Sequence, residues 1–321
     1  MSMFQKATKT KSKLRLALFG PSGAGKTYTA LSLAQGIGGP IAVIDTEYGS
    51  AAKYADRFEF DAANANDPSI DEIIDVINEA RDYNVLIVDS LTHPWQELLA
   101  EIDQLAKTKY KGNTWSAWSD GTPKQKRLIR TILGFPGHFI ATMRSKTEWT
   151  TTEGKNGSKT PQRVGLAPEQ GKGIEYEFDM LMEISSEHVV QVIKDRTGKF
   201  QDKLIDKPGA KFGGEIASWL NEGAEPEPTR DELLQEMVAI MSDWTEEQKA
   251  PFREQARTIK KNDLPGLKSL LAAVRKANNA RIRELMSAQE DEDVPEPDSE
   301  SESEPEPEEY EEDREFVNEL F

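Results

Sequence analysis

Gly20-Pro21-Ser22-Gly23-Ala24-Gly25-Lys26-Thr27 is the stretch from which the chain is read. Its spacing, G-x-x-x-x-G-K-T, is that of a phosphate-binding P-loop. Leu14 to Phe19 before it is apolar apart from Arg15, and Thr27 to Gln35 after it follows a helical pattern. The motif therefore falls between a predicted strand and a predicted helix, the setting it requires. Glycines let the backbone wrap closely enough for successive N–H groups to face phosphate oxygens, and the helix N-terminus adds partial positive charge. Gly20, Pro21, Ser22, Gly23, Ala24, Gly25, Lys26 and Thr27 are thus the predicted nucleotide-binding residues. Lys26 is expected to reach the β- and γ-phosphates of ATP, and the Thr27 hydroxyl to ligate Mg²⁺.

The bulk properties narrow the setting. The 321 residues can bury a real core and suggest one good-sized domain with appendages, or two domains. No run of about 18 apolar residues is present, so no transmembrane helix and no membrane partner are expected. The basic, polar N-terminus lacks the apolar stretch of a signal peptide, and an intracellular location follows as an expectation. There are no cysteines, which excludes disulfides and thiolate chemistry. The three histidines, at unrelated spacings, do not suggest structural zinc. The net charge of −17 is uneven: residues 289–321 hold 17 Asp or Glu and one Arg. The remaining chain is close to neutral, so an acidic composition does not argue against a nucleic-acid partner for the body.

Taken in order, residues 1–13, with Lys6, Lys9, Lys11 and Lys13, read as a loose basic arm. Ile41–Asp45 and Val85–Asp89 are short apolar strands, and Arg57–Phe60 is a further candidate. Ser69 to Arg81 reads as a helix with Ser69 as N-cap and Glu72 in the capping-box position. Helices are predicted at about 94–106 and 122–133, then a strand at His138–Met143. Residues 150–173 form a long loop or hairpin. Met180–Ile184 and Val189–Lys194 read as an antiparallel pair, and Gly213–Asn221 as a last helix. Strands alternating with helices predict an α/β fold with a mainly parallel central sheet and ligands at the strands' carboxyl ends. The expected domains are the arm 1–13, a nucleotide-binding domain 14–222, a linker 223–228, a small all-α domain 229–288, and a disordered acidic tail 289–321.

Asp89 closes an apolar strand, where a Walker B acid would hold Mg²⁺ through water or share a hydrogen bond with Thr27. Glu47 follows the strand after the P-loop helix. Lys107 to Arg130 contains seven basic residues and one acid, with Tyr110, Trp115 and Trp118 interleaved. Thr142 to Gly173 contains six basic and three acidic residues, plus Trp149. Basic residues that track phosphates, with aromatics that stack bases, make a single-strand platform. The alternative is that the two tryptophans pack against a helix and the lysines are merely solvated. Lys109, Lys111, Trp115, Trp118, Lys146, Trp149, Lys155, Lys159 and Arg163 are the candidate nucleic-acid contacts. Arg275, Lys276, Arg281 and Arg283 near the end of the helical segment fit either DNA contact or a solvated face.

On Ile44–Glu47, Trp115-Ser116-Ala117-Trp118 with Thr122-Pro123, Ala141–Lys146 and Lys194–Gly198, the chain resembles the RecA-like P-loop ATPases over about residues 12–220. Within them it looks most like the small bacteriophage group proposed to anneal or recombine single-stranded DNA. The resemblance implies a RecA-like core, ATP and Mg²⁺ as cofactors, and single-stranded DNA as partner, in the cytoplasm of a bacterial host. It implies Glu47 as activator of the attacking water and Thr142 or Arg144 as γ-phosphate sensor. It also implies Lys194 and Arg196 as a finger into a neighbouring subunit, hence a homo-oligomer. The acidic tail, closing on Phe321, is similar to tails that dock on a single-strand-binding or replication partner. A nucleotide-gated binding module, a helicase or helicase loader, and a DNA-independent ATPase regulator are the rival readings.

Overall fold

The computed structural model describes residues 6–153, 159–260 and 263–292. These divide into two compact units, Met1–Pro226 and Glu227–Phe321.

The first unit is built on a nine-stranded, mainly parallel sheet. Its strands are β1 (Arg15–Gly20), β2 (Ile41–Asp45), β3 (Asp61–Asn64), β4 (Val85–Asp89), β5 (His138–Glu153), β6 (Lys159–Pro168), β7 (Met180–Ile184), β8 (Val189–Asp195) and β9 (Leu204–Asp206). The helices are α1 (Lys26–Ile37), α2 (Ile70–Glu79), α3 (Thr92–Thr108), α4 (Thr114–Leu133) and α5 (Ala210–Leu220). The spatial order is β3-β2-β4-β5-β1-β7-β8-β9, with β6 paired to β5. Strands β3 through β7 along that path run parallel, while β8, β9 and β6 are added antiparallel. One strand, β5, separates β1, which carries the P-loop, from β4, which ends in Asp89.

Alternation along the strands feeds two cores. In β1, Leu16 and Leu18 face α1 and α5, while Ala17 and Phe19 face α2, α3 and α4. Arg15, which interrupts the apolar run, is buried. Its guanidinium donates to the carbonyls of Leu14, Gly137, Leu133 and Phe135, tying the last residue of α4 and the turn after it to the start of β1. His138, at the start of β5, is buried and accepts the Leu14 N–H through Nδ1 at 3.1 Å. Burial, with Lys13 and Arg15 nearby, pushes its pKa down to about 4.

Several expectations are met: the P-loop helix, Ile41–Asp45, the Ser69/Glu72 capping box and the β7–β8 pair. Others shift. Residues 57–60 are not a strand, and Phe58 there packs edge-on against Tyr28; the strand lies at Asp61–Asn64, wholly exposed and lacking an apolar signature. Helix α4 begins at Thr114 and runs through Pro123, which sequence reading takes for a helix start. Asn113 caps it by accepting the Ser116 N–H, and Ala117, Gly121, Leu128 and Ile132 form its buried face. Nor are residues 9–12 a loose arm. Their backbone pairs with Leu220 and Ala224, and the Lys9 ammonium bonds Glu222 and lies over Trp219.

The second unit is helical: α6 (Arg230–Ile240), α7 (Glu246–Thr258) and α8 (Leu264–Glu292). Capping boxes at Thr229/Glu232 and Thr245/Gln248 start the first two. Leu233, Met237, Met241, Trp244, Leu267, Leu270, Leu271 and Val274 form its core. Arg275 of α8 pairs with Glu236 of α6, and Arg281 of α8 with Asp243 in the turn between α6 and α7. The acidic tail beyond Glu292 lies outside the described residues. Among the described residues no helix is long and apolar enough to cross a membrane.

Candidate nucleotide site

The site lies at the carboxyl ends of β1, β2 and β4 and beside the middle of β5, where its parallel pairing with β1 ends at Arg144. A cavity of about 510 Å³ is lined by Gly20, Pro21, Ser22, Gly23, Gly25, Lys26, Thr27, Glu47, Tyr54, Arg144, Ser145 and Glu169. Gly23 and Gly25 hold φ of +77° and +88°, a left-handed conformation that turns the loop into α1 and disfavours any side chain. Lys26 donates from Nζ to the carbonyls of Gly20 (3.2 Å) and Pro21 (3.0 Å), folding its ammonium over the loop. Burial holds that ammonium below the ordinary lysine range, while Glu47 and Asp89 pull it back up.

Thr27 Oγ1 donates to Asp89 Oδ2 at 2.6 Å, the shared hydrogen bond expected of a Walker pair. Thr142 Oγ1 donates to Asp89 Oδ1. Asp89 is buried, and desolvation raises its pKa against the two hydroxyl bonds, with Glu47 and Asp45 raising it further. A hydroxyl and a carboxylate that leave the other positions to phosphate oxygens and water are a donor set suited to Mg²⁺. Thr142 is fully buried and spent on Asp89, so of the two sensor candidates it is Arg144 that lines the cavity.

Glu47 sits on a turn that buried Asp45 organises: its two oxygens accept the N–H groups of Glu47 and Ala51, each at 2.7 Å. The Glu47 carboxylate faces the Arg144 guanidinium at 3.4 Å. Sequence reading passes over Asp45, Tyr54, His93 and Glu169. His93 contacts Arg144 at 2.8 Å, and Glu169 is held by Gln96 Nε2 at 2.9 Å. For Asp45, His93 and Glu169 the only signal is position, within a few residues of a strand's carboxyl end; Tyr54, in the 3-10 turn Ala51–Tyr54, carries none.

The remaining candidates fall elsewhere. Lys194 and Arg196 point to one place, as their alternation predicts. Lys194 Nζ donates to the carbonyls of Glu175 and Tyr176, and Arg196 donates to the Tyr176 carbonyl and Asp179. Both thus close the carbonyl end of the 3-10 turn Ile174–Tyr176 of their own chain. The two tryptophans part company. Trp118 is half-buried against Trp95, with ring centroids 5.7 Å apart, whereas Trp115 is 87% exposed. A groove of about 850 Å³ on α4 joins Trp115 and Trp118 to Thr122, Pro123, Lys126 and Arg130. Lys109 is paired with Asp120 and lies over Tyr110; Lys111 is exposed. Lys146 donates to the Gln170 carbonyl. Trp149 stands opposite Arg163 in the β5–β6 register, and Lys159 opposite Glu153. Lys155 lies outside the described residues.

A glycine-turned phosphate loop on a mainly parallel sheet, with its threonine bonded to the acid of a strand two places away, defines a RecA-like P-loop nucleoside triphosphatase. The family model described as AAA domain matches residues 12–204, and the chain belongs to that family. Solved structures of similar fold include the RadB recombinase, at 14% identity over 62% of this chain and 90% of that one, with a TM-score of 0.38. A prototypical ATPase of the type III secretion system of pathogenic bacteria matches at 14% identity over 82% and 80%, TM-score 0.33. The ATPase EscN, assembled with its central stalk EscO from enteropathogenic E. coli, matches at 13% identity over 83% and 66%, TM-score 0.33. A comparison with curated proteins gives no match.

Proposed function

We propose that the chain is an oligomeric ATPase that binds single-stranded DNA and promotes its annealing or recombination in phage DNA metabolism. The observation that carries the ATPase chemistry is the cavity in which the P-loop, Glu47 and Arg144 meet above the Thr27–Asp89 pair. Lys26 and the loop amides bind the phosphates of ATP. Thr27 and Asp89 would hold Mg²⁺, which would supply charge neutralisation to the phosphates. Glu47 accepts a proton from the attacking water, and Arg144 senses the γ-phosphate.

Support for a nucleic-acid partner is the exposed Trp115 beside Lys126 and Arg130 on α4, together with the β5–β6 hairpin that extends from the same strand as Arg144. An exposed indole offers a π-face to any base, and the cations track phosphates. Lys194 and Arg196 serve a neighbouring subunit's γ-phosphate only by leaving the carbonyls of residues 175 and 176. In that reading the K194A/R196A protein loses turnover, and mixing it with the K26A protein restores part of it. The acidic tail serves as a docking segment for a single-strand-binding or replication partner, drawn by charge that salt screens.

The test is ATP hydrolysis by the full chain and by K26A, each with and without single-stranded DNA. Hydrolysis that K26A abolishes and DNA accelerates supports the reading. Hydrolysis indifferent to DNA removes the nucleic-acid part of it.

A further inference from the structure

A closed chain of hydrogen bonds runs from the nucleotide cavity to the first turn of α3, and the chemistry above makes no use of it. Thr46 Oγ1 lies 2.8 Å from the Ser90 nitrogen, 2.9 Å from the Ser90 carbonyl oxygen and 2.7 Å from His93 Nδ1. The other ring nitrogen, Nε2, lies 2.8 Å from a guanidinium nitrogen of Arg144. That same nitrogen is 3.4 Å from Glu47 Oε1, and the Arg144 backbone N–H donates to Thr92 Oγ1 at 3.0 Å.

Counting protons leaves one arrangement. A guanidinium has donors only, so Nε2 must present its lone pair. The ring's single proton is then on Nδ1 and is donated to Thr46 Oγ1. That oxygen also accepts the Ser90 N–H, and its own proton goes to the Ser90 carbonyl. The opposite tautomer sets N–H against N–H at Arg144. A doubly protonated ring does the same and adds a like charge. Burial and the Arg144 guanidinium both hold His93 below the ordinary histidine range, against the pull of Glu47, Asp67 and Glu169, so the neutral form prevails at neutral pH.

We propose that His93, neutral and protonated on Nδ1, is a positioning residue of the ATPase site, tethering the Arg144 guanidinium beside Glu47. It rests on the reading of Glu47 and Arg144 as the groups that face the γ-phosphate. One N–H of Arg144 is spent on His93, and the guanidinium otherwise lines the cavity. The tether fixes by a side-chain bond a residue whose chain is otherwise half exposed, and fixed donors stabilise developing charge better than mobile ones.

Two substitutions separate the ring's two bonds. His93→Gln keeps an acceptor where Nε2 stands and gives up the donor to Thr46. His93→Asn keeps the donor and gives up the acceptor. With the full chain, H93N is expected to lose kcat for ATP by about tenfold to a hundredfold, the scale of a hydrogen bond to a charged group, with KM little changed. H93Q is expected to turn over faster than H93N. The reverse order, or equal wild-type rates in both, overturns the proposal.

A second measurement does not depend on turnover. In the chain labelled with ¹⁵N-histidine, the His93 ring signals, identified by their loss in H93Q, are expected to be those of the Nδ1-protonated neutral tautomer and to move in R144A. An Nε2-protonated ring, or signals blind to R144A, overturns the tether. Wild-type hydrolysis in E47Q and R144A together with the expected ring signals refutes the reading of the site and leaves the tether standing. Lost hydrolysis in both with unmoved ring signals refutes the tether alone.

Discussion

Asp89 is held through both of its oxygens: Thr27 donates to one and Thr142 to the other. Such a carboxylate is aimed, and the aim is toward the loop that carries Lys26. Glu47 differs in kind. It is partly exposed, its backbone is fixed by Asp45, and its carboxylate is left facing the cavity beside Arg144. In the proposed chemistry, Glu47→Gln keeps ATP binding and lowers turnover by about a hundredfold or more, the usual scale for a general base. Equilibrium binding of a fluorescent ATP analogue and a steady-state phosphate assay read the two separately. Arg15 gives a stability prediction at the same scale. Truncating it to Ala removes the donor from the carbonyls of Leu133, Phe135 and Gly137, while the Leu14 carbonyl keeps the Phe139 N–H. A loss of about 3 kcal/mol in urea unfolding is expected, because unmet buried polar groups cost far more than met ones gain. The residues legible beforehand were those with a motif or a strand end around them. His93 and Glu169 act through side chains brought together from α3 and the end of β6, and no local spacing announces that meeting.

Among the elements, β1 and β5 are stitched by His138, whose ring accepts the Leu14 N–H only while neutral. Its folded pKa, about 4, lies below the ordinary histidine value. The unfolded chain therefore binds the proton first as pH falls. The stability the neutral ring contributes is present above pH ~6.5 and is lost progressively down to about 4, by about 3 kcal/mol at most. Urea unfolding at pH 7.5 and 5.0 should show the wild type losing more than His138→Gln over the same interval. Helix α4 carries the other prediction. Trp115 touches little of its own chain, so Trp115→Ala should leave the melting temperature unchanged while weakening single-strand binding by about fivefold to a hundredfold, the worth of one stacked base. An unaltered affinity in fluorescence anisotropy would remove α4 from the nucleic-acid face. Element identity was legible where periodicity was strong, as in α2 with its capping box. It failed at α4, where Thr122-Pro123 imitates a helix start inside a continuous helix, and at β3, an exposed polar edge strand with no apolar alternation to read.

On the scale of the whole molecule, the parallel sheet gathers the P-loop, Glu47, Asp89 and Arg144 at one end because parallel strands all finish there. That convergence follows from an alternation of strands and helices that the sequence displays. The antiparallel β7–β8 pair was legible from its short turn, whereas the pairing of residues 9–12 with 220–224 depends on long-range contacts that no local pattern encodes. The strand that carries Arg144 continues into the β5–β6 hairpin, so the nucleotide cavity and a basic arm share one backbone. Coupling between the two is tested by the ATP hydrolysis rate with and without single-stranded DNA across a salt series. Coupled sites give strong stimulation at low salt that falls steeply as salt rises, since released counterions drive the binding. A rate that single-stranded DNA leaves unchanged at every salt concentration would contradict that coupling.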